Sequence, residues 1–188
     1  MAGQLDDLAN DTSTQELAAD LIARGVRRVH VLAWRDLDDP DAGGSEVHAD
    51  EVMRRWAAAG LDVTHRTSAA EGLPAEADRN GYHVIRRGSR YSVFPRAIVA
   101  EIGRRMGRYD ALVEVWNGVP WWSPVWCHQP RITFLHHVHG PMWGQILPGP
   151  LAGLQSGQHL PIVVAMQTGP HSRRSFALAL ASLLRSEE

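Results

Sequence analysis

Apolar and polar positions along the 188 residues fall into two rhythms: short unbroken apolar runs, and stripes repeating every three to four residues. Leu17, Leu21 and Ile22 mark one face of a short helix, opened by the capping-box pair Ser13 and Glu16 and stopped at Gly25. Val29–Ala33 is an apolar run without polar alternation, the pattern of a strand buried on both faces of a parallel sheet. Ala49, Val52, Met53, Trp56 and Ala57 then recur at helical spacing, which predicts a helix over Ser45–Ala59 with Gly60 as its stop. Leu61–Thr67 reads as a second strand, so strand, glycine turn, helix and strand compose a right-handed βαβ unit.

The same reading continues downstream. Ser68–Asn80 is small and polar and reads as a surface loop, and Tyr82–Arg86 as a third strand. Ile98, Ile102 and Met106 predict a helix over Phe94–Met106, with Pro95 tolerated in its first turn. Asp110–Trp116 and Pro130–Leu135 are the fourth and fifth strands, with a short helix at Trp121–Trp126 between them. Pro148–Gly157 is linker-like, Pro161–Met166 a candidate sixth strand, and His171–Leu184 an arginine-led helix. Such β/α alternation predicts an α/β fold: a doubly wound, mainly parallel, Rossmann-like sheet of about six strands with helices on both faces. Three regions follow: a tail and short helix over 1–26, the main domain over 27–151, and an atypical strand–helix segment over 152–188.

Composition narrows the chemistry only a little. The formal charge of −2 argues for neither nucleic acid nor membrane as a partner. All 19 basic residues are arginine, the better bidentate partner for phosphate. A single cysteine, Cys127, excludes an internal disulfide and suits a reducing compartment. No apolar stretch approaches the roughly 20 residues that span a bilayer, so a cytoplasmic protein is expected.

Ligands of open α/β sheets bind beyond the carboxyl ends of the strands. Four segments should meet there: Trp34–Glu46, Thr67–Glu71, Trp116–Trp122 and His136–Trp143. Gly43 and Gly44 stand where the first strand feeds a helix, so backbone can approach a ligand and unpaired helix amides favour an anion. The same two glycines equally suit a plain tight turn, and neither G-x-G-x-x-G nor the P-loop pattern is present. Trp126 reads as packing, whereas Trp121, Trp122 and Trp143 flank turn residues and suit either a sugar ring or the core. His136, His137 and His139 lack accompanying metal spacing and read better as hydrogen-bonding residues than as zinc ligands. The four aspartates of Asp36–Asp41 suit a divalent cation less well than plain solvation.

Three of these stretches carry a resemblance. GGSE at Gly43–Glu46, EVWNGVPWWSP at Glu114–Pro124 and TFLHHVHGPMW at Thr133–Trp143 resemble, in order, motifs of the N-terminal half of family-4 glycosyltransferases of the GT-B fold. The resemblance spans about residues 27–151. It implies an acceptor-side domain of a retaining hexosyltransferase that faces a donor-binding domain across a cleft and uses no metal or other cofactor. It implies substrate contacts at Gly43, Gly44, Glu46, Trp116, Asn117, Trp121, His137 and His139, with His136 as the catalytic candidate beside the transferred sugar. The donor domain with its E-x₇-E element has no counterpart here, so the chain alone is expected to be inactive. Implied partners are a nucleotide sugar and a sugar or lipid-linked acceptor, not nucleic acid, with peripheral contact at the inner membrane face, self-association or a second GT-B domain as further options. The rival readings are a non-catalytic acceptor- or partner-binding module and, more distantly, a histidine-based metal protein.

Overall fold

A computed structural model of the chain describes residues 15–117 and 119–135. The expected strand at Pro161–Met166, the helix at His171–Leu184, the linker at Pro148–Gly157 and the cap Ser13 lie outside the described residues, as do His136, His137, His139 and Trp143.

The first helix, α1 (15–23), seats Ala18 and Leu21 in the core and ends where the spacing places its stop. Gly25 takes φ +88°, its amide donates to Ile22 O, and the Val26 amide reaches back to Leu21 O, closing the last turn. Strand β1 (Arg28–Leu32) follows, then α2 (Gly44–Ala58) and β2 (Asp62–Thr67). The α2 stripe buries Ala49, Val52, Met53 and Trp56 as its periodicity requires. The chain continues through β3 (Glu76–Arg79), β4 (Tyr82–Arg86), α3 (Val93–Ile102), β5 (Ala111–Trp116), α4 (Ser123–Trp126) and β6 (Arg131–Leu135).

Among the described residues six strands form one mixed, mostly parallel sheet in the order β3-β4-β2-β1-β5-β6, in which only the β3–β4 pair is antiparallel. Strand order therefore reverses between β1 and β5, whose registers pair Val31 with Val113 and Leu32 with Glu114. Side-chain alternation sends Val29, Val31, Val63, Val84 and Val113 toward α1 and α2. Leu32 and Leu112 face the other way, into a second cluster with Val93 and Ala97 of α3, Trp121 and Cys127. Helices cover both faces, and the fold is α/β.

Three expectations are corrected. Ser68–Asn80 is not all surface loop: Glu76–Arg79 pairs antiparallel with β4. Asn80 at φ +46° and Gly81 at φ +89° make the tight turn between the two strands, and Asn-Gly is the sequence signal for it. This hairpin arm is one of the six strands of the sheet among the described residues. Second, α3 stops at Ile102 instead of running to Met106, and its buried stripe is Val93, Ala97 and Glu101. Ile102 is 62% exposed. The stripe turns because buried His30 on β1 meets Glu101, with His30 Nδ1 donating to Oε1 at 2.9 Å. Third, Trp121, implied as a substrate contact, lies in the core. It is fully buried against Phe94, with ring centroids 4.5 Å apart, and its indole N–H donates to Val115 O at 3.0 Å.

Candidate functional site

The loop from β1 to α2 leaves the sheet where strand order reverses, and the loop after β5 leaves beside it. Between them the first turn of α2 is built as follows. Gly43 precedes the helix with an extended backbone, and its amide donates to Glu46 Oε2 at 2.7 Å. This is the return half of a capping box, in which the N3 carboxylate satisfies the donor ahead of the helix. Asn117, immediately after β5, donates through Nδ2 to Ser45 Oγ at 3.2 Å and to Glu46 Oε1 at 3.4 Å. Arg35 Nε lies 3.8 Å from Glu46 Oε1. Glu46 is thereby buried, with both oxygens engaged, between a backbone amide, an amide side chain and a guanidinium.

The amides of the first helical turn after Gly43 have no partner within the helix and carry the positive end of its dipole. Above them there is room: a Cβ added at Gly44 meets no described atom within 4 Å, and Gly44 is exposed. Neither glycine has a positive φ, so backbone conformation does not require glycine at either position.

Polar groups at this edge are left over. Arg35 Nε, the indole N–H of Trp116 and Asn117 Oδ1 are buried without a hydrogen-bond partner among the described residues. The carboxylate of Glu114, two residues before Trp116 on β5, accepts on Oε1 from Ser123 Oγ at 2.7 Å and Thr133 Oγ1 at 2.8 Å, while Oε2 has no such partner among the described residues. Buried polar atoms without partners are uncommon in folded proteins, and here they cluster where β5 ends.

In the aspartate-rich loop that frames this edge Asp36 and Asp39 are buried, Asp38 and Asp41 are exposed, and arginines pair with three of the four. Asp36 receives Arg86 Nε at 2.5 Å, Asp38 receives Arg86 Nη2 at 2.7 Å as well as Arg79, and Asp41 pairs with Arg90. The bond from Arg79 also holds the Asp38 carboxyl below the usual carboxylate range. Asx turns at Asp36 and Asp39 shape the loop from inside, through Asp38 N and Asp41 N. The guanidinium groups consume the carboxylates that a metal ion would need, and no cluster of metal-ligating residues exists among the described residues.

Of the four segments expected to converge, three do. Thr67 Oγ1 and Ser68 N both donate to Trp34 O, at 3.2 and 3.1 Å, and Asn117 ties the third segment to Ser45 and Glu46. Gly43, Gly44, Glu46, Trp116 and Asn117 thus share one edge of the sheet, whereas Trp121 sits in the core behind it. His136, His137 and His139 fall outside the described residues. Trp126 packs as expected, its indole N–H donating to Trp121 O at 2.8 Å. Trp122 is exposed at φ +56°, a backbone region bulky residues rarely occupy. The sequence pattern did not single out Arg35 and Ser45; no motif marks an arginine that only the loop fold carries back to the helix start.

No protein-family model matches this chain, and no curated protein matches its sequence. No helix among the described residues is long and apolar enough to cross a membrane.

Proposed function

We propose that the chain is the acceptor-side, Rossmann-like half of a GT-B glycosyltransferase of the retaining family-4 type, with the start of α2 as the cradle for the diphosphate of a nucleotide-sugar donor. The observation that carries this reading is the preorganised turn at Gly43–Glu46. Asn117 and Glu46 fix it from the neighbouring strand, and Gly44 opens it to solvent. In sugar transfer the bond from the anomeric carbon to the diphosphate breaks and its electron pair leaves on phosphate. Backbone N–H groups aimed at that developing charge lower the barrier without having to reorganise. Arg35 adds a guanidinium beside the same turn. His136 remains the candidate beside the transferred sugar, and Trp116 and Asn117 remain candidates for substrate contact.

One observation favours a binding module without catalysis as the second reading. Glu46, the carboxylate at the cradle, is buried and committed to the Gly43 amide, which leaves it ill placed to move a proton. Titration of the 188-residue protein with a nucleoside diphosphate, and separately with the bare nucleoside, tests the cradle. Diphosphate-dependent binding at about millimolar strength, worth roughly 4 kcal/mol, is expected. Equal binding of both ligands, or none of either, removes the cradle. Sugar transfer is then sought with a donor-domain partner added in trans. Transfer abolished by His136→Ala supports the enzyme reading, and diphosphate binding without transfer leaves the binding module.

A further inference from the structure

The opposite face of the sheet carries a second concentration of chemistry. Arg66 on β2 and Ile85 on β4 are register partners whose side chains point away from α2. With α3 they wall a cavity of about 580 Å³, lined also by Arg87, Arg96, Arg105 and Glu76. Four guanidinium groups face one carboxylate, and that carboxylate is already paired with Arg87.

Arg66 is the unusual member. It is 2% exposed, yet it makes no ion pair among the described residues. Its guanidinium is held by carbonyls alone: Nη1 donates to Thr67 O and to Ile85 O at 3.3 Å, and Nη2 donates to Arg87 O at 2.7 Å. Burying a cation without a counter-charge is costly, and carbonyl dipoles offset only part of that cost. Arg96 and Arg105 likewise form no ion pair among the described residues, and both are exposed at the cavity mouth. Burial, with Arg87 and Arg96 close by, pushes the Arg66 guanidinium down to about 10, still fully charged at neutral pH. Ile85, Pro95 and Val99 supply apolar wall between the charges.

From this arrangement we infer an anion site between α3 and the β2–β4 edge that takes the phosphoryl group of an organic phosphate, with Arg66 fixed at its floor and Arg96 and Arg105 at its mouth. Guanidinium forks match phosphate oxygens in pairs, and the carbonyls that hold Arg66 pre-orient its fork. The apolar wall suits a short carbon skeleton attached to the phosphate. The phosphoryl group can belong to a soluble metabolite or to a lipid headgroup, and both present the same chemistry to the arginines. The site lies across the sheet from the start of α2, so its occupancy is independent of the cradle there.

The test uses the full chain and two probes, glycerol phosphate in solution and phosphatidic acid in phosphatidylcholine vesicles. Because Arg66→Gln removes three carbonyl bonds and is liable to unfold the protein, the informative variant is R96Q/R105Q, which changes only exposed side chains. Saturable binding of at least one probe is expected, weakened about tenfold or more in R96Q/R105Q with the circular dichroism unchanged. Binding of both probes marks a soluble phosphate as sufficient, and binding of the vesicles alone marks a lipid headgroup as the source. Gly44→Val is expected to leave this binding intact. Absence of binding by either probe up to about 10 mM phosphate overturns the proposal, as does binding undiminished in R96Q/R105Q or lost in Gly44→Val.

Discussion

The guanidinium of Arg86 on β4 meets the carboxylate of Asp36 in the β1–α2 loop at 2.5 Å, with both side chains buried. The same guanidinium also holds Asp38, and Arg79 on β3 spans Asp38 and Asp50 of α2. The β3–β4 hairpin is thus a clamp on the loop that delivers the chain to Gly43.

Breaking the clamp on one side strands a buried charge. Arg86→Met is expected to destabilise the protein by about 3–5 kcal/mol, and Asp36→Asn by less, because Asp38 still pairs with Arg86. Urea unfolding of both single variants and the double variant checks this. The double variant should cost clearly less than the sum, because the two charges neutralise one another.

Gly44→Ala separates ligand approach from folding. A Cβ there meets open space at a helix start, so stability should hold or rise by up to about 1 kcal/mol. Diphosphate binding at the cradle should fall, and the larger Gly44→Val should lower it further. Calorimetric titration beside thermal unfolding reads both effects. Loss of stability together with loss of binding contradicts the assignment of an open cradle.

His65 gives the fold an acid sensitivity. It is fully buried, and desolvation first, then Arg86, Arg66 and Arg79, push its imidazole down to about 3 from an ordinary 6.5. The folded state therefore keeps it neutral, while the unfolded chain binds a proton as pH drops below 6.5. Its contribution to stability is complete above that value and is lost progressively between about 6.5 and 3. Neither ring nitrogen has a partner among the described residues. His65→Leu should therefore stay within about 1 kcal/mol of the parent at pH 7.5 and flatten the fall in stability between pH 6.5 and 4.5. Urea midpoints across that interval test it, and an unchanged slope in the variant refutes it.

Adjacent tryptophans should respond oppositely. Trp121→Ala opens the second core cluster and frees Val115 O, so a loss of about 3–5 kcal/mol is expected. Trp122→Gly removes an exposed ring and relieves a positive φ, so its effect on thermal unfolding should stay within about 1 kcal/mol. Equal losses at the two positions contradict the arrangement.

What the sequence determined by itself was local. Residue periodicity placed β1, α2, β2, β4, β5 and β6 within a residue or two of their observed limits, because a buried strand and an amphipathic helix each leave their own spacing. Glycine chemistry marked the end of α1 and the turn into α2 for the same reason, and Asn80–Gly81 carried an equally local signal for the hairpin within a stretch too polar to suggest a strand. Tertiary structure decided whatever depends on two distant segments meeting. Only the order β4-β2-β1 brings Arg86 to Asp36, fifty positions away, and turns a run of aspartates into a neutralised frame. Only the packing of α3 against β1 pairs Glu101 with His30 and rotates the apolar stripe away from Ile102. And only the path of the chain after β5 puts Trp121 in the core and Trp122 in water, since at a turn, unlike within a helix or strand, spacing carries no rule for which side chain faces inward.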